Sequence, residues 1–113
     1  MVIFQILNLE ILHGIYVIKY ITNNLYFALE RNNLILSKTQ SNFRLISIKQ
    51  NLYFIEIMNT RKKLGVNNNN KIKIYDNKEK INENKKIWNI TRVRENEYVI
   101  YNLYNFKILY SYI

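Results

Sequence analysis

The chain has 113 residues, a formal net charge of +9 and no cysteine, and 49% of its residues are hydrophobic. This length and apolar content predict one folded domain, residues 1–113, and exclude disorder of the whole chain. The lack of cysteine excludes disulfides and a thiolate metal site, so we expect a cytoplasmic protein.

The apolar N-terminal segment contains Glu10 and has no basic leader, so we interpret it as folded structure. No apolar run reaches the roughly 20 residues of a membrane-spanning helix.

The positive charge is concentrated in the middle third of the chain. Between Arg61 and Arg94, eleven basic residues stand against three acidic ones, which accounts for +8 of the total +9. A bias toward A+T-rich codons would add lysine throughout the chain and does not explain this concentration. We therefore predict an electropositive face for a polyanion, either nucleic acid or an anionic membrane surface. The basic residues are Arg61, Lys62, Lys63, Lys71, Lys73, Lys78, Lys80, Lys85, Lys86, Arg92 and Arg94.

A similar phrase occurs three times, in pseudo-repeats of about 4–42, 43–87 and 88–113. The copies read "FQILNLEILHGIYVIK", "FRLISIKQNLYFIE" and "WNITRVRENEYVIY". In each copy a tyrosine follows the first aromatic residue and is itself followed by an apolar residue and isoleucine. This β-branched and aromatic content predicts strands. The aligned residues are Phe4, Phe43 and Trp88, then Tyr16, Tyr53 and Tyr98, then Ile18, Ile55 and Ile100.

Alternation of apolar and charged residues also favours strands. In "KIKIYD", Ile72 and Ile74 fall on one side and the lysines on the other, as a period of two requires. The segment "NLYFALERNNLIL" has a helical alternative with a stripe at Leu25, Ala28 and Leu29. Its asparagine pairs favour two strands around a turn, and asparagine is predicted to make most turns because the chain has two glycines and no proline.

Three such copies resemble the β-trefoil of the ricin B-type lectin family. The resemblance is strongest over residues 51–90, which are similar to that family's pattern of a Tyr-x-Ile strand, a Gly-Lys-x-Leu turn, a strand that bears a tyrosine and a closing Gln-x-Trp. It implies an all-β, trefoil-like fold whose order is rotated and which has eleven strands where a trefoil has twelve. A missing strand would leave an open sheet edge at the C-terminal segment, which a partner protein could complete with a strand of its own. The alternative is that residues 108–113 bend over the gap.

The sugar-binding residues of that family are not retained. Gly65 stands where the resemblance implies an acidic residue, and Lys85-Lys86 replace an Asn-Gln pair. Tyr75 is the one remaining candidate for an aromatic platform. A degenerate carbohydrate-binding module therefore stays as an alternative, because a shared fold does not imply a shared function.

The residue types needed for catalysis are sparse. His13 is the single histidine, and no nucleophile and base occur at a suitable spacing. Glu79 and Glu83 lie in a lysine-rich segment that reads as a solvated loop, and the run Asn67–Asn70 lacks the carboxylates that a hard cation needs. We predict a protein that is not an enzyme and that holds no cofactor or metal.

The basic residues with interleaved aromatics predict RNA binding. Lysine and arginine would neutralise phosphates, and Tyr75 is the candidate for stacking on a base. Without a base-reading helix, we expect binding to structured RNA, such as ribosomal RNA, by shape and charge. The predicted function is a structural component of the ribosome or another ribonucleoprotein particle. A protein-interaction scaffold completed by a partner strand is the alternative.

Overall fold

The computed structural model describes residues 2–10, 14–31, 33–76 and 83–109. Within these ranges the chain forms ten β-strands and one short 3₁₀ helix at Glu83–Lys86, so the protein is all-β, as the sequence predicts. No helix in the described ranges is long and apolar enough to cross a membrane. The strands are β1 (Phe4–Glu10), β2 (Ile15–Tyr20), β3 (Leu25–Glu30), β4 (Asn33–Ser37), β5 (Phe43–Lys49), β6 (Leu52–Ile57), β7 (Lys63–Val66), β8 (Ile72–Tyr75), β9 (Ile87–Arg94) and β10 (Glu97–Asn102).

Six of the strands pair in a closed ring. Strand β1 pairs with β2, β2 with β5, β5 with β6, β6 with β9, β9 with β10, and β10 returns to β1, always antiparallel. Each ring strand therefore has a partner on both sides, which satisfies its backbone groups along the paired stretches. Hairpin β3–β4 extends from β2, and hairpin β7–β8 extends from β6.

The strand register repeats three times around the ring. In each copy the aligned tyrosine lies opposite the first aromatic residue of the next copy, and the last copy pairs in the same way with the first. The three repeated phrases of the sequence thus occupy equivalent positions in the ring. The pairs are Tyr16 with Phe43, Tyr53 with Trp88, and Tyr98 with Phe4.

The aligned aromatic and isoleucine positions form the centre of the core. Each of these six side chains is no more than 1% exposed. The indole Nε1 of Trp88 donates to the carbonyl of Leu64 at 3.0 Å, so the one polar atom of the largest core side chain is satisfied. The six residues are Phe4, Phe43, Trp88, Ile18, Ile55 and Ile100.

Asparagine makes many of the turns, as the sequence predicts. Asn51 before β6 has φ 65° and Asn96 before β10 has φ 59°, while Gly14 takes the corresponding place before β2 with φ 61°. Beside each of these three turns a β-bulge skips one residue: Leu9 on β1, Ile48 on β5 and Val93 on β9. The side chains of Ile48 and Val93 leave the core and are 40% and 38% exposed.

The local strand predictions are confirmed. The segment with a helical alternative forms strands β3 and β4, joined by a turn in which Arg31 has φ 51°. Around β8, Ile72 and Ile74 are half-buried whereas Lys71 and Lys73 are exposed. The burial around β8 follows the two-residue period of an extended chain.

The third copy departs from the other two after β10. Leu109 follows the aligned tyrosine of its copy by eleven residues, the same spacing as Phe27 and Leu64 in theirs, and all three side chains are almost completely buried. The segment returns to β10 through one bridge between Tyr101 and Ile108. In the third copy, Leu109 thus fills the core position that hairpins β3–β4 and β7–β8 fill in the other two copies. This placement is consistent with the alternative prediction that the C-terminal segment bends over the gap. The rest of the predicted open edge, residues 110–113, lies outside the described residues.

Candidate nucleic-acid interface

The predicted basic residues separate into three groups. One group lies on hairpin β7–β8 and the loop before it, the second in the 3₁₀ helix, and the third at the end of β9. The predicted Lys78 and Lys80 lie outside the described residues. The groups are Arg61, Lys62, Lys63, Lys71 and Lys73; Lys85 and Lys86; and Arg92 and Arg94.

The arginines of β9 lie away from the hairpin. Trp88, the second residue of β9, contacts Leu64 on β7 through its indole, whereas Arg94 is the last residue of β9. At about 3.3 Å per residue, roughly 20 Å of strand separate the two ends. The side chain of Arg92 donates to the Arg94 carbonyl at 3.3 Å, and Arg94 donates to Glu97 at 3.0 Å. These arginines therefore lie toward the end of β9 that is farther from the contact with the hairpin.

Two other predicted residues contribute little charge to the surface. Lys86 is only 6% exposed and has an interaction partner within the fold. The side chain of Lys63 is 16% exposed, and its ammonium lies 4.0 Å from the Glu56 carboxylate and 5.4 Å from the centre of the Phe54 ring. Burial with a fixed partner leaves neither lysine free to meet a phosphate, so we remove both from the candidate interface.

Hairpin β7–β8 presents exposed cations. Lys71 and Lys73 lie two residues apart on an extended segment and both are exposed. The ammonium of Lys73 lies 4.8 Å from the centre of the Tyr75 ring. Lys62 pairs with Asp76 at 3.6 Å, but side-chain exposures of 53% and 63% make this a weak, exchangeable contact.

The asparagine run shapes the tip of this hairpin. The Asn67 side-chain oxygen accepts hydrogen bonds from the backbone N–H of Asn69 at 2.8 Å and of Lys71 at 3.0 Å. Asn70 takes the left-handed conformation with φ 59°. The asparagines therefore fix a turn, which places Lys71 at the base of a rigid tip.

Lys85 joins the hairpin to the third copy. Its ammonium donates to the side-chain oxygen of Asn68 and lies 5.1 Å from the centre of the Tyr104 ring. Its carbonyl accepts a hydrogen bond from the buried Asn102 at 3.1 Å. A Cβ atom on Gly65 would lie only 2.7 Å from this carbonyl, so glycine at that position permits the close approach.

Exposed aromatic residues lie beside these lysines. Tyr104 is 40% exposed and Phe106 is 70% exposed, and the neighbouring Asn105 donates to Asn70 at the hairpin tip at 3.3 Å. The sequence prediction missed both aromatic residues. The signal that could have found them is the phrase "LYNFK", in which aromatic residues alternate with turn-forming and basic ones.

Tyr75, the predicted stacking residue, is placed in the interior. It is 3% exposed, and its hydroxyl donates to the Val66 carbonyl at 2.6 Å. Its ring lies within 3.0 Å of the position that a Cβ atom on Gly65 would take. With no ring face toward solvent, Tyr75 cannot stack on a base or a sugar in this arrangement, and we remove it from the candidate site.

A second charged surface lies between β5, the end of β6 and the loop that follows β6. Arg44, Glu56, Asn59, Thr60 and Arg61 line an open cleft of about 420 Å³. Glu56 is only 9% exposed and lies 3.8 Å from the Arg44 guanidinium as well as beside Lys63. The carboxylate between the cations would oppose an anion, so this cleft is a weaker candidate for phosphate than the hairpin.

No group of three or more His, Cys, Asp or Glu side chains in the described part of the chain is placed to hold a metal ion. No protein-family model matches the sequence, and no curated protein matches it significantly.

Proposed function

We propose that this protein binds structured RNA and is a structural component of the ribosome or another ribonucleoprotein particle in the cytoplasm. The observation that carries the proposal is the group of Lys71, Lys73 and Lys85 around hairpin β7–β8, which we call the hairpin cluster. Lys71 and Lys73 are exposed, and Lys85 is held beside the hairpin tip. Such cations, held on a rigid surface, can contact the phosphates of RNA.

The fold that we propose for this role is a rotated β-trefoil, similar to ricin B-type domains. The closed ring of six strands and its three-fold register support it, as do the hairpins at equivalent places in two copies. The burial of Leu109 is consistent with a shortened third hairpin. A rigid body of this kind would hold the hairpin cluster in a fixed shape against folded RNA.

Recognition would depend on shape and charge. The described residues include no α-helix that could enter a groove and read base edges. The lysines of the hairpin cluster would instead contact the phosphate backbone, which positions a protein without specifying a sequence. A carbohydrate-binding function has less support, because Tyr75, its one candidate platform, is buried.

The salt dependence of RNA binding tests the proposal. We expect wild-type affinity for a structured ribosomal RNA fragment to fall steeply with salt, because bound phosphates release counterions. The variant K71Q/K73Q should bind more weakly, and the slope of log K against log salt should flatten by about one unit for each lost phosphate contact. Filter binding or fluorescence anisotropy at several salt concentrations measures this slope.

The matched control is R31Q/K49Q, which removes the same charge from two exposed positions outside the hairpin cluster. It should leave the slope close to that of the wild type. Equal slopes for the wild type and K71Q/K73Q would overturn the assignment of the hairpin cluster. A wild-type protein that does not bind RNA at low salt would overturn the proposed function.

A further inference from the structure

Phe106 is the most exposed large hydrophobic residue among those described, with 70% of its surface accessible. Its backbone has φ 59°, a conformation that bulky side chains rarely adopt. The other described phenylalanines at core positions, such as Phe4, Phe27 and Phe43, are at most 1% exposed. Phe106 therefore stands out in both its environment and its backbone, and such outliers often mark functional positions.

The backbone around Phe106 is well fixed. Its N–H donates to the carbonyl of Asn102 at 2.8 Å, and the Lys107 N–H donates to the Asn105 side chain at 3.0 Å. Asn102 is fully buried, and its side-chain oxygen accepts a hydrogen bond from the N–H of Tyr104 at 2.9 Å. The exposed ring is thus presented by a turn with an anchored base.

The ring of Tyr101 lies beside Phe106, and two lysines lie on or against the same turn. The ring of Tyr101 lies 6.3 Å from that of Phe106, and Tyr104 carries the ammonium of Lys85 at 5.1 Å from its ring centre. Lys107 is exposed directly after Phe106. The bond between Asn105 and Asn70 joins this turn to the hairpin tip.

We propose that Phe106 stacks on an unpaired base of the bound RNA, while Lys85 and Lys107 hold the adjoining phosphates. The ligand class rests on the proposed RNA-binding function, and the new element is the recognition of a single-stranded segment. A flat apolar ring flanked by cations matches a base flanked by phosphates. The turn has no acidic side chain at residues 101–107 that could accept hydrogen bonds from sugar hydroxyls.

Two substitutions at Phe106 test this proposal by fluorescence anisotropy with a single-stranded oligonucleotide and with a fully paired RNA duplex of the same length. F106L keeps an apolar residue and removes the ring. We expect it to bind the single strand about 5- to 100-fold more weakly, the range for loss of one stacked base, and to bind the duplex as the wild type does. F106W should retain single-strand binding.

F106W also supplies a direct signal. The single native tryptophan, Trp88, is fully buried and bonded to Leu64, so it provides a constant background. Stacking of a base on the new indole should quench its emission, and the duplex should leave the emission unchanged. Far-UV circular dichroism and the Tm of each variant show that the fold is intact.

The outcomes separate this inference from the proposed function. Unchanged single-strand binding by F106L, an equal loss for both RNAs, or no quenching in F106W would overturn the stacking role. In each of these cases a salt slope reduced by K71Q/K73Q would still support RNA binding through the hairpin cluster. Failure of the wild type to bind either RNA would overturn both proposals.

Discussion

Asparagine sets the turn geometry of this chain at the scale of single residues. Five of the described residues with positive φ are asparagines, at positions 24, 51, 59, 70 and 96. The asparagine side chain tolerates the left-handed region, which other side chains with a Cβ atom enter at a cost. A chain with two glycines and no proline can therefore still build tight hairpins.

The turn at Asn51 allows a test of this role. Asn51→Ala should lower the free energy of unfolding by about 1 kcal/mol, because alanine pays the steric cost of the left-handed region. Asn51→Gly should be close to neutral, since glycine adopts that region freely. Urea unfolding monitored by Trp88 fluorescence measures both. Gln50→Ala, at the adjacent exposed position, is the control and should change stability little.

An equal loss for Asn51→Ala and Asn51→Gly would show that the asparagine side chain, rather than the backbone conformation, stabilises the turn.

At the scale of elements, the third copy buries its core side chain with a short segment, whereas the other two copies bury theirs with a hairpin. Strands β3 and β7 bury Phe27 and Leu64, and each strand is paired in a hairpin. The third copy buries Leu109 with one isolated bridge to β10. The apolar contact is thus retained although few strand hydrogen bonds support it among the described residues.

Leu109 should therefore contribute as much to stability as its counterpart in β7. We expect Leu109→Ala and Leu64→Ala each to lower the free energy of unfolding by about 2–5 kcal/mol, because both leave a cavity in the core. Chemical denaturation of the two variants measures the change. Ile48→Ala, at a bulged and exposed position, is the control and should stay within about 0.5 kcal/mol of the wild type.

A negligible effect of Leu109→Ala beside a large effect of Leu64→Ala would indicate that the third copy does not stabilise the core in solution. That result would strengthen the hypothesis that a partner strand completes this part of the fold.

At the scale of the whole molecule, the pairing of β1 with β10 joins the first and last copies and closes the ring. Arg92 and Arg94 follow the hairpin cluster closely in sequence. They lie toward the end of β9 that is farther from the contact between Trp88 and Leu64. The basic residues are therefore spread over several parts of the fold. Hairpin β7–β8 and the turn after β10 together combine cations with exposed aromatic residues.

The proposed role in a ribonucleoprotein particle predicts the behaviour of the whole protein in cell extracts. We expect the wild type to sediment with ribosomal subunits at low salt and to be released as salt rises. K71Q/K73Q should be released at a lower salt concentration than the wild type, and R31Q/K49Q should be released at the wild-type concentration. Sucrose-gradient fractions probed for the protein measure this. Sedimentation as a free protein at low salt would contradict the ribosomal role.

The candidate interface was only partly predictable from the sequence. The exposed lysines at 71 and 73 were found from the charge pattern, because alternation with isoleucine fixes which side of a strand each faces. The sequence pattern predicts Tyr75 as the stacking residue although its side chain is buried, and it does not indicate Phe106 although that side chain is exposed. Burial depends on which elements pack together, and residue type alone does not determine it.

The sequence by itself determined that the chain is all-β and where its strands alternate, because period-two patterning and turn residues act locally. Only the tertiary structure decided that the strands close into a ring, that Lys86 and Tyr75 are buried, and that the turn bearing Phe106 lies against the hairpin tip. These features depend on contacts between residues far apart in the chain, and local patterns do not encode such contacts.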